Sequence, residues 1–273
     1  MNVERVTFAG HEGVRLAVGG QTLTLTTDVG PRILGFAGSG ANVLAELPGD
    51  AIEHPGMRPF RFIGGHRLWA APEVPATTYE PDDAPCAVEE VPGGVRVVGA
   101  PGPVTGLVRS IEVRPEGGAW RVVHTIRNAG AAAVEVAPWA ITQVRLGGEA
   151  FLPLPTVGAP PQADRSLVLW PYTDLRDPRF RFADGGVHVA GTAGPATKVG
   201  AAPGAGWLTY RIDGEELRIA ADVPRGAVPD RAAATQVFTC ERFLELETLG
   251  ALARLEPDAT VEHVETWTLG AVG

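Results

Sequence analysis

The sequence predicts an all-β fold, and three observations carry that prediction. Apolar residues alternate with polar ones at period two through most of the chain, the pattern of strands with one buried face. Helical periodicity is confined to two short segments, Asp230 to Ala234 and part of 45 to 54. The 35 glycines and 24 prolines recur between the apolar runs as turn punctuation rather than in disordered blocks.

Each strand region has its own signal. "VRLAVGGQTLTLTTD" (14–28) is two alternating runs broken by Gly19-Gly20. "GGVRVVGA" follows a Pro92-Gly93-Gly94 turn, and "GLVRSIEVRPEGGAWRVVHTIRN" folds back at Pro115 to Gly118. "AVEVAPWAITQVRL" is one long run, and "GWLTYRIDGEELRIAADV" reverses at Asp213-Gly214. "VFTCERFLELETLG" and "TVEHVETWTL" close the chain. Turns this short join antiparallel neighbours. No repeat and no shift of composition divides the sequence, so residues 1–273 read as one large domain, a size that sheet architectures reach without splitting. Residues 50 to 85 and 152 to 182 are expected as long irregular loops. They are rich in Trp, Tyr, Arg and Pro, unlike disordered segments, which makes them the places to look for a site.

Net charge is −9, from 23 basic against 32 acidic residues spread along the chain. Without a basic stripe, nucleic acid and anionic membranes are poor partners. No apolar run approaches the roughly 20 residues that cross a bilayer. "MNVERVTFAGHEG" has no basic segment followed by an apolar one, so the expected compartment is the cytoplasm, with Cys86 and Cys240 as free thiols. HExxH, CxxC, P-loop and GxSxG patterns are all missing; neither a metal nor an organic cofactor is expected.

Three stretches could carry chemistry. "RPFRFIGGHRLWAAPEVPATTYEPDDAP" (58–85) is either a ligand-handling loop or a tight corner between strands. Gly64-Gly65 permits close backbone approach or a positive φ. Arg58, Arg61 and Arg67 offer forked donors, Trp69 and Tyr79 offer flat faces for a sugar ring, and His66 could serve as an acid or base near neutral pH. In "FTCERFLELETLG" (238–250), strand parity puts Glu241, Phe243, Glu245 and Glu247 on one face and Arg242, Leu244 and Leu246 on the other. Glu245 and Glu247 then stand about 7 Å apart, facing either a cleft or solvent. In "EVAPWAITQV", Trp139, Ile141 and Gln143 share a face and line either a pocket or the core. His124 shares its face with Trp120, Val122 and Ile126, which suggests a buried histidine rather than a catalyst.

"LTLTTDVGPRILGFAGSGANVLAE", "HTIRNAGAAAVEVAPWAITQ" and "LELETLGALARLEPDATVEHVETWTL" resemble, in that order, the opening, central and closing strands of galactose mutarotase-like proteins. "GGHRLWAAPE" with "TTYEPDDAP" is similar to a bacterial subgroup of these domains. The likeness runs from about residue 14 to 270. It implies a β-supersandwich of large antiparallel sheets with a sugar on one concave face, and an aldose 1-epimerase-like activity on a free sugar or hexose phosphate. Glu247 matches the general base of the family's "L-E-T" strand, and Arg61 lies where related hexose-phosphate epimerases contact substrate. The family's acid histidine has no counterpart in "PWAITQ"; Gln143 or a water could substitute, but His66 is the residue expected to protonate the ring oxygen and to approach Glu247 across the cleft. Arg67, Trp69, Glu73, Tyr79, Trp139, Gln143 and Glu245 would orient the sugar. The missing histidine keeps a non-catalytic sugar-binding or sensor domain open as a rival. A lyase or hydrolase on the same face is a third reading.

Overall fold

The computed structural model describes residues 2–53, 58–156, 158 and 160–272. The alternating runs become strands whose burial follows their pattern. In Ala119–Asn128, every second residue from Trp120 to Asn128 is buried. Two large sheets result, and every strand pair in them is antiparallel.

In the eleven-stranded sheet, Asn2–Phe8, His11–Val18, Gln21–Thr26 and Arg32–Ala37 form a meander beside His66–Ala71. Next come Val134–Val144, Leu244–Leu249, Thr235–Thr239, Thr197–Ala202 and Ser166–Leu169, with Ala253–Leu255 also pairing to Val134–Val144. The ten-stranded sheet runs Phe180–Ala183, Gly186–Ala190, Glu149–Pro153, Trp207–Ile212, Glu215–Ala221, Thr260–Ala271, Ala119–Asn128, Leu107–Glu116, Gly94–Val98 and Ala87–Val91. A separate ribbon pairs Glu46–Ile52 with Phe60–Gly64. This is the all-β supersandwich expected from the period-two pattern.

One core cluster joins the two sheets. Leu23, Leu25, Phe36, Leu244 and Leu246 of the first pack with Ile111, Val113, Trp120, Val122 and Trp267 of the second. Burying each such side chain contributes about 1.5–3 kcal/mol. A second cluster sits on the first sheet's other face, where Trp69, Trp139, Ile141, Phe243 and Leu249 meet Phe60 and Phe62 of the ribbon.

Two expectations need correction. Among the described residues, 50 to 85 is not an irregular loop: it contains Phe60–Gly64, His66–Ala71 and the single turn Pro75–Thr78, while 54 to 57 lie outside the described residues. Phe60–Gly64 pairs into the ribbon and His66–Ala71 into the eleven-stranded sheet, leaving Gly65 as the corner between the two strands. Residues 45 to 53 are likewise mostly strand, Glu46–Ile52, not helix, and residue 54 lies outside the described residues. The other short helical segment is one turn, Pro229–Ala232, with Asp230 and Arg231 at positive φ. No helix among the described residues is long and apolar enough to cross a membrane.

Candidate functional site

The corner at Gly64-Gly65 places the site. Both glycines have positive φ, 101° and 69°. A Cβ on Gly64 would lie 2.1 Å from the Ala45 carbonyl oxygen, and one on Gly65 would lie 2.2 Å from that of Ile33. Only glycine tolerates both constraints. From this corner His66–Ala71 enters the sheet, with Arg67 and Trp69 on one face and His66 and Leu68 on the other. Register then aligns three strands: Trp69 opposite Trp139, Arg67 opposite Ile141, Gln143 opposite Glu245 and Ile141 opposite Glu247. The aromatic and acidic residues of three distant segments thereby share one face.

That face forms the floor of a cavity of about 300 Å³. Its walls are aromatic: Phe62, Trp69, Tyr79, Trp139, Tyr172 and Phe243. Trp69 packs edge-on against Trp139 (5.5 Å, 70°) and Tyr79 (5.1 Å, 75°), which holds the rings in fixed orientations. The charged groups are Arg67, Glu73, Lys198, Arg242 and Glu245. The Arg67 guanidinium lies 4.1 Å from the centre of the Trp69 ring and donates to Glu245 Oε1 at 3.2 Å. Gln143 Nε2 donates to the same oxygen at 2.9 Å. Tyr79 donates its hydroxyl to Glu73 at 2.6 Å.

Glu247 lies one layer deeper and is 0% exposed. Trp139 Nε1 and Lys198 Nζ, both from cavity-lining residues, donate to its Oε2 at 2.6 and 2.8 Å. Its Oε1 is buried without a hydrogen-bond partner among the described residues. Burial pushes this carboxyl up to about 7, against the pull of the Lys198 cation and with help from the Glu245 charge. A carboxylate poised there is suited to take and return a proton near neutral pH. Lys198 sits between two indoles, 4.8 Å from the Trp139 ring centre and 4.6 Å from that of Trp170.

The structure brings together Arg67, Trp69, Glu73, Tyr79, Trp139 and Glu245 at the cavity wall, with Gln143 and Glu247 just beneath. Two expected site residues are elsewhere. Arg61 is exposed on the ribbon strand, where its backbone pairs with Ala51, and its side chain is not part of the wall. His66 does not approach Glu247. Strand parity turns it to the opposite face of the sheet, into the core between the sheets, where it is 0% exposed. There its Nδ1 lies 2.8 Å from Thr142 Oγ1 and its Nε2 2.6 Å from His124 Nε2. Burial, with the neighbouring His124, holds it well below the usual histidine range, so it is neutral. A neutral imidazole on the far face of the sheet cannot be the acid of this cavity.

His66, His124 and Glu265 together form the one group of possible metal ligands found among the described residues. Their geometry suits a hydrogen-bonded network better than a metal centre. Two ring nitrogens 2.6 Å apart, each about 2.1 Å from a zinc ion, would subtend only about 75°, far from tetrahedral. His124 Nδ1 contacts the His263 carbonyl oxygen at 2.9 Å, and Glu265 accepts from Trp267 Nε1 at 2.8 Å and from Thr248. The polar groups of the network therefore satisfy one another.

Residue-by-residue reading missed Lys198, Arg242, Tyr172 and Trp170. A signal for the first was present: Lys198 is the only lysine among 23 basic residues, and it stands in the otherwise apolar run "ATKVGAA". Arg242 was assigned to the other face of its strand, but it precedes the strand Leu244–Leu249, so parity does not govern it. It reaches the cavity mouth and pairs with Asp50 at 2.7 Å.

No family model and no curated protein matches the sequence. Solved structures do match the fold. A candidate aldose 1-epimerase from Escherichia coli K12 aligns with a TM-score of 0.59 at 12% identity, over 94% of this chain and 98% of that one. A galactose mutarotase-like protein from Lactobacillus casei aligns with a TM-score of 0.55 at 8% identity, over 94% and 100%. A TPR-domain containing protein from Parabacteroides distasonis aligns with a TM-score of 0.63 at 14% identity, over 95% of this chain and 47% of that one. The chain has the galactose mutarotase-like fold.

Proposed function

We propose that this protein interconverts the anomers of a small sugar, as an aldose 1-epimerase does, with Glu247 as the general base. The observation that carries the reading is a buried carboxyl pushed up to about 7 beneath an aromatic-walled cavity of about 300 Å³. In the reaction, Glu247 takes the proton of the anomeric hydroxyl while the ring C–O bond opens. Rotation about C1–C2 and closure on the other face give the second anomer. The lysine stem is flexible, so Lys198 can swing from Glu247 Oε2 and open the carboxylate to the cavity. Glu245, held by Arg67 and Gln143, and the Trp69 and Trp139 faces would orient the sugar.

A neutral sugar fits this cavity better than a hexose phosphate. Among the described residues, each cation at its wall already faces a carboxylate: Arg67 with Glu245, Lys198 with Glu247 and Arg242 with Asp50. A phosphate would bring its charge beside these carboxylates as well as the cations.

The experiment is anomer-exchange NMR on a panel of free aldoses and hexose phosphates, with wild type, Glu247→Gln and Glu245→Gln side by side. The reading expects faster exchange of a free aldose, lost in Glu247→Gln by about 10²–10⁴-fold. Exchange carried equally by Glu247→Gln would sink the base assignment. The rival is a sugar-binding domain without catalysis, favoured by the capping of Glu247 by Lys198 and Trp139. It expects saturable sugar binding with no gain in exchange rate.

A further inference from the structure

We infer that Lys198 is the proton donor to the ring oxygen, standing in for the histidine that the strand Val134–Val144 lacks. The inference rests on the epimerase reading above and assigns its missing acid. With His66 facing the core, the cationic side chains at the cavity wall are Arg67, Arg242 and Lys198. Arginine stays protonated throughout the accessible pH range, whereas an ammonium can give its proton up. This chain uses arginine for every basic position except this one. A purely electrostatic role does not account for that exception, because elsewhere in the chain buried arginines serve ion pairs, Arg67 with Glu245 and Arg32 with the half-buried Asp82.

The placement suits proton donation. Among the described residues, Glu247 is the hydrogen-bond acceptor of the ammonium, which leaves N–H bonds for the cavity. The Trp139 and Trp170 rings flank it and exclude water without accepting a proton. Acid and base are therefore already in contact, and a hemiacetal can bridge them because its O1 and ring oxygen share C1.

As the C1–O5 bond breaks, its electron pair goes to O5, which takes a proton from Lys198 Nζ. The O1 proton goes to Glu247, and C1=O1 forms the aldehyde. The ammonium and carboxylate become amine and carboxylic acid, so the net charge of the pair is zero before and after. Closure on the other face runs the same transfers in reverse and restores both groups.

The test measures anomer exchange with wild type, Lys198→Arg and Lys198→Ala, with near-UV circular dichroism to verify folding. The acid role expects both variants to lose at least about 10²-fold in kcat. It also expects ethylammonium to restore Lys198→Ala in proportion to its concentration. Lys198→Arg keeps the charge, so recovery to within threefold of wild type in that variant overturns the acid role. Should the variants not fold, acetylation of wild-type Lys198, mapped by peptide mass spectrometry, is expected to abolish exchange; acetylated protein exchanging at the full rate overturns it too. A wild type silent on every sugar overturns the epimerase reading itself. A fast wild type, slow Glu247→Gln and fast Lys198→Arg overturn only the lysine.

Discussion

His66 Nε2 and His124 Nε2 meet at 2.6 Å across the interior, linking the first sheet to the second. The contact belongs to a buried polar seam that also includes Thr142, Thr248, His263, Glu265 and Trp267. Neutral groups can satisfy this seam completely. His124 donates from Nδ1 to the His263 carbonyl, accepts at Nε2 from His66, and Thr142 donates to His66 Nδ1.

His66→Leu is therefore expected to reduce stability without touching the proposed anomer exchange. It leaves His124 Nε2 and Thr142 Oγ1 unpaired in the core, at about 1–3 kcal/mol each. Urea unfolding checks the loss, and anomer exchange per folded molecule should equal wild type. A hundredfold fall in exchange would return His66 to the mechanism.

Glu265 sets a pH dependence. Burial pushes its carboxyl up to about 7, above its value in the unfolded chain. A raised carboxyl favours the folded state while protonated, so its contribution is present below about pH 4.5 and is lost as pH rises through 7. The buried histidines act oppositely: burial lowers His124 to about 3 and His263 to about 4, so their contribution is lost as pH falls below 6.5. Glu265→Gln keeps the histidines and removes the carboxyl. Relative to wild type, the variant should gain about 2 kcal/mol between pH 5 and pH 8 in urea titrations. No change in the difference would refute the buried, raised carboxyl.

Gly65→Ala tests the corner that aims the cavity strand. The added Cβ would meet the Ile33 carbonyl at 2.2 Å on a residue with φ of 69°. Positive φ and overpacking together are expected to cost about 2–5 kcal/mol. Thermal unfolding should register it; a Tm within a degree of wild type would mean that the strands can part more easily than their pairing suggests.

Trp139→Phe probes the environment of Glu247. It keeps a ring beside Lys198 but removes the N–H donated to Glu247 Oε2. Losing a donor to the charged form raises the carboxyl further, by about one pH unit. The acidic limb of the kcat/KM profile for exchange should move up accordingly. An unmoved limb would show that another group sets it.

Much of the fold was legible because β-structure writes itself locally. Alternation identifies strands and short Gly/Pro turns identify hairpins, so Leu107–Glu116 with Ala119–Asn128 could be read from residues that are neighbours in the chain. Parity also ordered the site strands correctly, with Trp139, Ile141 and Gln143 on one face and Glu245 and Glu247 on one face. It was not applied to His66, because residues 50 to 85 read as a loop and only the strand His66–Ala71 sets His66 on the face opposite Arg67 and Trp69. It failed for Arg242, which lies outside the strand whose phase was applied to it.

By itself, the sequence determined the sheet architecture, the acidic pair on the closing strand and the aromatic face beside it, because each depends on the period-two geometry of a single strand. Tertiary structure alone decided which strands lie side by side. It set Lys198 against Glu247, 49 residues away, and His66 against His124 across the core. Proton affinity follows from burial and from neighbours distant in sequence, and neither is a property of a local run of residues. That is why a lone lysine in "ATKVGAA" gained its place in the site only once the chain had folded.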